Sequence, residues 1–296
     1  MKLDPNVRAG IASVSVALIL IGLKGYASWA TGSAAMLGSL ADTGLDLIAS
    51  LVTLYSVRLA ATPADRQHRF GHGKAEAIAA FFQVVLISLS AFWIASHSIQ
   101  QLVGAARPAD AEAGILVSLI ALVLTLLLVT YQRRVVAQTG SLAIGTDNIH
   151  YQSDLLLNAA VIAALAADQF ANIQGADAVA GIAIAGWLLY GAYTASRQAI
   201  DQLMDREWPE ERRRAFVEVA NRHPELRGIH DLKTRTAGHH DFVQFHVWVD
   251  PMMTVGEAHR VMDEVEDKLR EAFPGVEILI HPDPAGHVDG GEEMHP

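Results

Sequence analysis

Two pairs of metal-ligand side chains occur at the same spacing in the sequence. Asp42 and Asp46 lie four residues apart in SLADTGLDLIAS, and His150 and Asp154 lie four residues apart in HYQSDLLLNAA. In a helix, side chains at i and i+4 share one face, so each pair presents its two groups together. Three carboxylates and one imidazole, contributed by two helices, make a four-coordinate shell suited to a divalent transition metal.

Each pair also has a plainer interpretation as a packing or capping group, and Asp147, just before the second pair, could be a helix N-cap. Both pairs, however, border long apolar runs. An ionisable residue inside a membrane costs roughly 2.5–3.5 kcal/mol on the insertion scale, so such residues usually face an interior and have a function. Two pairs of matched spacing therefore favour a metal site.

A second group of ligand-type residues lies in the polar segment PADRQHRFGHGKAE. It contains Asp65, His68 and His72, and Gly71 and Gly73 permit a tight bend between them. Three ligands leave room for water, which is typical of a weaker or transient metal site. The alternative interpretation is a basic loop of solvated charges.

A third group lies near the C-terminus, on several different predicted elements. A single histidine there would mean little, but four histidines on separate elements and an aspartate after a strand predict a binuclear metal site or a metal-linked dimer interface. These residues are His230, His246, His259, His281 and Asp283.

The elements that carry the two pairs, Asp42 with Asp46 and His150 with Asp154, are predicted to be membrane helices. Of the 296 residues, 51% are hydrophobic and 18% are charged, which is too apolar for an ordinary soluble domain. Cysteine is absent, which excludes thiolate metal ligands. Crossing a bilayer takes about 20 apolar residues per helix, and the sequence has six such runs. They are Ala9–Ala30, Met36–Leu59, Ala75–Val103, Ala113–Gln132, Ile149–Ala167 and Ala178–Ala199.

Positive charge alternates between the connections of these spans. Lysine and arginine are concentrated in 58–74 and at 133–134, whereas 31–35 and 168–177 contain neither and 104–112 contains only Arg107. By the positive-inside rule both termini are cytoplasmic. The first apolar run has no small-residue cleavage site, so we interpret it as a membrane helix and not as a cleaved signal peptide.

The sequence predicts a transport-type domain over 1–204, a small α+β domain over 205–284 and a disordered tail over 285–296. After residue 205 the pattern is helix, strand, strand, helix, strand, with the strands at Ile229–Thr236, Asp241–Asp250 and Val276–Ile280. The tail is rich in glycine and acidic residues.

The sequence contains no motif of several other function classes. The sequence lacks a phosphate-binding P-loop, an HExxH metalloprotease motif, a serine nucleophile motif and a basic nucleic-acid patch. Two alternatives to metal transport remain open. An intramembrane metallohydrolase would use the same ligands with one open coordination position, and a metal sensor or scaffold would rely on the C-terminal histidines.

With these residues identified, the chain resembles the cation diffusion facilitator family, and most of all its bacterial zinc-exporting members. The resemblance extends from the first span to HPDP and rests on SLADTGLDLIAS, FGHGKAE, HYQSDLLLNAA, IHDLKTR, FHVWVD and ILIHPDP. It implies a homodimer in the bacterial inner membrane, with six transmembrane helices and a cytoplasmic ferredoxin-like domain in each protomer. It also implies exchange of cytosolic Zn2+, with Cd2+ as a second substrate, for protons by alternating access.

The resemblance also assigns roles to residues. It implies a transport site of Asp42, Asp46, His150 and Asp154, with proton coupling through Asp46, His150 and Asp154. It implies a loop site of Asp65, His68 and His72, and a cytoplasmic site of His230, His246, His259, His281 and Asp283 with structural or regulatory Zn2+. It implies an ion pair between Lys74 and Asp205. The chain departs from close relatives at Ala285, where cysteine can occur, and at Pro282, which lacks a backbone donor.

Overall fold

The structure is a computed structural model that describes residues 4–31, 34–103, 115–171, 176–224, 228–238 and 240–286. The chain divides into two compact units, Met1–Ile200 and Asp201–Pro296. Residues 287–296, most of the predicted disordered tail, lie outside the described residues, as does Ala113 at the predicted start of the fourth span.

The first unit consists of six long helices, which confirms the predicted helical membrane architecture. They are α1 (Pro5–Thr31), α2 (Ala34–Ala60), α3 (Ala75–Val103), α4 (Ile115–Thr139), α5 (Leu142–Ala171) and α6 (Ala176–Leu203). Five contain a segment long and apolar enough to cross a membrane, namely Pro5–Ala30, Ser39–Ala60, Ala75–Gln100, Leu119–Thr139 and Ala178–Leu203. The remaining helix, α5, has 30 residues, which at 1.5 Å per residue is also long enough to span.

Helix α5 begins earlier than the apolar run suggests. The run predicts a start at Ile149, whereas the helix starts at Leu142, where the Ser141 hydroxyl accepts a hydrogen bond from the Ile144 N–H at 3.3 Å. Asp147 is therefore not the N-cap, and His150 lies more than two turns inside the helix. A search for apolar residues missed the first turns of α5 because they contain polar residues such as Asp147 and Asn148, which are buried and hydrogen-bonded to Gln132 of α4.

Close helix packing brings α1 and α2 together. A Cβ on Gly10 would lie 3.1 Å from Cα of Leu54, a tight contact that would push the two backbones slightly apart, so glycine favours this close approach. The close contact of these helices fixes α1 against the helix that carries Asp42 and Asp46.

The second unit is a small α+β domain of α7 (Glu210–Ala220), β1 (Ile229–Ala237), β2 (His240–Val249), α8 (Val255–Ala272) and β3 (Val276–Pro284). The sheet has the order β1-β2-β3, with β1 antiparallel and β3 parallel to β2. Alternate residues of β2 and β3 form one core with the buried faces of α7 and α8, including Phe216, Val247 and Val261. The predicted helix–strand–strand–helix–strand order is confirmed.

The third strand continues beyond its predicted end at Ile280. It runs to Pro284, and His281 and Asp283 pair with His246 and Trp248 of β2. Prolines at 282 and 284 are tolerated because β3 is an edge strand, so one side of its backbone needs no partner. This extension places the histidine and aspartate on the sheet itself, on the face opposite the helices.

Candidate metal sites

Three of the four predicted transport-site residues meet between α2 and α5. Asp46, His150 and Asp154 each offer a ligand atom, and these atoms all lie within 4.8 Å of one another. Nε2 of His150 lies 2.8 Å from Oδ1 of Asp46, and both residues are at least 92% buried. An imidazole and two carboxylates so placed provide nitrogen and oxygen ligands for a divalent transition metal.

Asp42 lies one helical turn from Asp46 on the same face of α2, but its side chain is exposed and its ligand atoms are outside the described group. The two carboxylates repel each other at this spacing, which disfavours a closer approach. Its membership of the site stays a prediction.

A second buried polar cluster, the Asp147 cluster, lies one turn from His150 and was missed by the sequence analysis. Asp147 is completely buried and accepts hydrogen bonds from Ser13 Oγ at 2.8 Å, Gln132 Nε2 at 2.6 Å and Gln83 Nε2 at 3.2 Å. Gln83 also donates to Thr53 Oγ1. The cluster thus connects α1, α3, α4 and α5 to α2 through uncharged donors, and it anchors the first turns of the helix that carries His150.

The loop group is assembled by local backbone geometry between α2 and α3. Oδ1 of Asp65 accepts hydrogen bonds from the backbone N–H groups of Gln67 at 2.8 Å and His68 at 2.6 Å, which lowers the pKa of the Asp65 carboxyl. The Asp65 carboxylate oxygens lie 3.5 Å from Nδ1 of His68 and 3.5 Å from Nε2 of His72. Gly71 adopts φ 79°, the left-handed turn that brings the second ring back. The three predicted loop ligands therefore lie together, at the surface.

The cytoplasmic group is centred on Asp283. Its Oδ2 lies 2.9 Å from Nδ1 of His246 and 3.1 Å from Nε2 of His230, and its Oδ1 lies 3.2 Å from Nε2 of His281. Burial opposes ionisation of Asp283, but the hydrogen bond from His246 and the charges of His281 and His246 outweigh it and lower the pKa. One buried carboxylate with three surrounding imidazoles can bind a divalent metal.

His259 is placed elsewhere in the domain. It lies on α8, which covers the opposite face of the sheet, and its Nδ1 lies 3.0 Å from Oδ2 of Asp263 on the same helix. In the described part of a single chain it is not part of the Asp283 group. Its role as a metal ligand stays a prediction. An assembly of two copies of the chain would have to bring it to a metal.

Two neighbours of the Asp283 group were not singled out from the sequence. Asp231 occupies a bulge in β1 with φ 46°, and its Oδ2 lies 3.7 Å from Nε2 of His246. The indole of Trp248 stacks on the His230 ring, with the centroids 4.3 Å apart. The register irregularity in β1 turns Asp231 toward His246, and the alternation of residues in the sequence does not reveal it.

The predicted ion pair of Lys74 and Asp205 joins residues of different units and stays a prediction. Within its own unit, Asp205 lies 3.6 Å from Arg235.

Comparison with known families covers nearly the whole chain. The family model for the cation efflux transmembrane domain matches residues 10–204, and the family model for the cytoplasmic domain of cation efflux proteins matches residues 208–285. The two matches follow each other in the order of the two structural units.

Several curated relatives are similar over almost their full length. The cation-efflux pump FieF of Pectobacterium atrosepticum is 43% identical over 280 residues, 95% of this chain and 93% of the relative. FieF of Cronobacter sakazakii is 40% identical over 281 residues, with the same coverage of 95% and 93%. FieF of Yersinia enterocolitica is 40% identical over 287 residues, 97% and 95% of the two chains.

Two solved structures match part of the chain. A chain of CzrB in its zinc form is 43% identical and covers 29% of this chain and 98% of its own, with a TM-score of 0.26. MamM-CTD is 25% identical and covers 25% of this chain and 96% of its own, with a TM-score of 0.25. The family models and the near full-length relatives, and not these partial matches, decide the assignment: the chain belongs to the cation diffusion facilitator family of multi-pass cation-efflux transporters.

Proposed function

We propose that this transporter exports Zn2+, and Cd2+ as a second substrate, across the bacterial inner membrane in exchange for protons. The observation that carries the proposal is the group of Asp46, His150 and Asp154 between two membrane helices, with Asp46 and His150 buried and Asp154 partly buried. Ionisable side chains at such depth are costly, and a divalent substrate or its replacement protons would balance their charge. Membership of a cation-efflux family gives the metallohydrolase and sensor alternatives less support.

The ligand types favour particular metals. An imidazole together with carboxylates suits Zn2+ and Cd2+ better than Mn2+, which prefers a shell of oxygens. Co2+ and Ni2+ also bind such ligands, as expected from the Irving–Williams order. Discrimination between these metals therefore depends on the group of Asp46, His150 and Asp154 and also on how Asp42 completes the coordination shell.

Proton coupling follows from the contact between Asp46 and His150. Their hydrogen bond of 2.8 Å places a proton between the two atoms that would bind the metal, Nε2 of His150 and Oδ1 of Asp46. A proton between them and a metal ion on them are therefore mutually exclusive states, and binding the metal displaces the proton. Imidazole changes charge in the physiological pH range, so protons from the outside can displace the metal in turn.

The other two groups would serve the same transport cycle from the cytoplasmic side, where we place both termini. The Asp65 group is solvent-exposed, which suits rapid capture and release of the ion near the entrance. The Asp283 group lies on the sheet of the second unit and suits structural or regulatory Zn2+ in a homodimer. Alternating access of the membrane helices would then carry the ion outward.

The test is Zn2+-driven proton flux in proteoliposomes that contain a pH-sensitive dye. Asp46→Ala removes the carboxylate that contacts His150, and we expect it to abolish flux. Asp267→Ala, on the exposed face of α8 (side chain 78% exposed), is the matched control and should retain flux. Full flux in the Asp46→Ala protein would refute the assignment of this group as the transport site.

A further inference from the structure

Lys24 is unusual among the basic residues of the membrane helices. Arg58 and Arg197 lie near the ends of their predicted spans, and the third, fourth and fifth spans contain no lysine or arginine. Lys24 alone lies well inside a span. A lysine at such a position is about as costly as a carboxylate, so it is expected to face a polar interior and to have a function.

The depth of Lys24 matches that of the transport site. It lies seven residues before the end of α1 at Thr31, and Asp42 lies eight residues after the start of α2 at Ala34. At 1.5 Å per residue both are about 10–12 Å from the ends that the short connection joins. The two side chains are thus at one level in neighbouring antiparallel helices.

The contacts of Lys24 anchor it beside a proposed ligand. Its Nζ donates hydrogen bonds to Oγ1 of Thr43 at 2.7 Å and to the carbonyl oxygen of Ser39 at 3.4 Å. Thr43 is 1% exposed, and it directly follows Asp42. From this position the ammonium group acts electrostatically on the carboxylates of both Asp42 and Asp154.

Resting on the proposed function, we propose that Lys24 is a charge-setting residue of the transport site, a tethered cation that limits how tightly the site holds its divalent substrate. Three ionised carboxylates and one ammonium group leave the site with a net charge of −2 when His150 is neutral. A divalent substrate neutralises that charge. Without Lys24, the metal-bound site would retain one negative charge.

The consequence for transport is a balance between capture and release. Removing the fixed cation strengthens the attraction of the remaining carboxylates for the metal, because charges interact strongly at low dielectric. A more tightly held ion leaves more slowly, so the loss of Lys24 should increase affinity and reduce the maximal rate. A residue with only a structural role would instead weaken binding or leave it unchanged.

The variants that separate charge from hydrogen bonding are Lys24→Gln and Lys24→Arg. Glutamine can still donate to Thr43 and Ser39 but carries no charge, whereas arginine keeps the charge. Both are made in the full-length chain carrying His72→Ala and His246→Ala, so that Zn2+ titration calorimetry reports mainly the transport site. Circular dichroism and size-exclusion chromatography verify that each variant is folded, and Lys24→Met is a second neutral variant should Lys24→Gln fail this check.

We expect the neutral variant to bind Zn2+ at least about tenfold more tightly, with a lower maximal rate of Zn2+ transport, and Lys24→Arg to resemble the parent. Unchanged or weaker Zn2+ binding in a folded neutral variant would overturn the role of Lys24. Asp46→Ala, measured in parallel, separates this failure from that of the proposed function. If Asp46→Ala loses Zn2+ binding while binding in Lys24→Gln is unchanged, only the proposed role of Lys24 is rejected. If Asp46→Ala retains both Zn2+ binding and transport, the assignment of the transport site itself is rejected.

Discussion

Replacing Asp147 by alanine should destabilise the membrane unit, because this buried side chain accepts hydrogen bonds from three other helices. Its two oxygens accept hydrogen bonds from Ser13, Gln83 and Gln132, on three different helices. Among the described residues, no cation lies within hydrogen-bond distance of it. The Asp147 cluster is therefore a structural hub built from neutral donors around one acceptor.

The expected cost follows from what each donor would have left. Ser13 can still donate to the Ala9 carbonyl at 3.2 Å, and Gln83 keeps Thr53. Gln132 keeps the Ser13 oxygen at 2.9 Å. Because all three retain a partner, each lost bond is worth about 0.6–1 kcal/mol and not the larger penalty of a stranded donor. We therefore expect a loss of about 2–3 kcal/mol in the free energy of unfolding.

Thermal unfolding in detergent, followed by tryptophan fluorescence, measures this loss. With a shift of about 2–4 °C per kcal/mol for a unit of this size, Asp147→Ala should lower Tm by about 5–10 °C. Asp147→Asn keeps the shape and one acceptor oxygen, so it should recover part of the loss. If the alanine variant is as stable as the wild type, or more stable, the reasoning is wrong. The free energy lost by burying the Asp147 carboxyl group would then equal or exceed the free energy gained from its hydrogen bonds.

Two further predictions concern the second unit. The pKa of Asp283 is lowered, so its ionised form contributes stability above its ordinary pKa of 3.8, and this stability is lost as pH falls through the lowered value. Urea unfolding of the metal-free wild type should therefore show a steeper loss of unfolding free energy below about pH 5 than Asp283→Asn shows. Equal slopes for the two proteins would contradict this. Thr254 and Glu257 form a reciprocal capping box at the start of α8, so Thr254→Ala should cost about 1 kcal/mol in the same assay, whereas Glu277→Ala, on an exposed position of β3, should change little.

The spacing of ligands within one helix was the part of the site that the sequence could predict. A four-residue interval fixes two side chains on one face whatever surrounds the helix, which is why His150 and Asp154 belong to the same group. That α2 and α5 meet came from the family resemblance, because helix pairing depends on contacts between distant residues. The 2.8 Å contact of His150 with Asp46 required the structure.

The elements that sequence analysis missed share a physical cause. Asp147 and the residues around it are polar, so a search for apolar runs began α5 too late and made a buried residue inside the helix look like an N-cap. Pro282 and Pro284 made the end of β3 look irregular, although an edge strand tolerates both. Asp231 reaches His246 through a bulge, and a bulge shifts the alternation by which faces are assigned.

The three ligand groups share a carboxylate beside imidazole but differ in how water reaches them, and this difference argues for different tasks. In the loop group the side chains of Asp65 and His68 are 50% and 57% exposed, whereas that of His72 is 9% exposed. Two of its three ligands therefore keep much of their hydration, and the net gain on binding a metal is small. At Asp46 and His150 the ligands are buried, so solvent cannot take the place of a bound metal. Under the proposed function a proton would take that place, and the burial of this pair would couple the exit of the metal to the entry of protons.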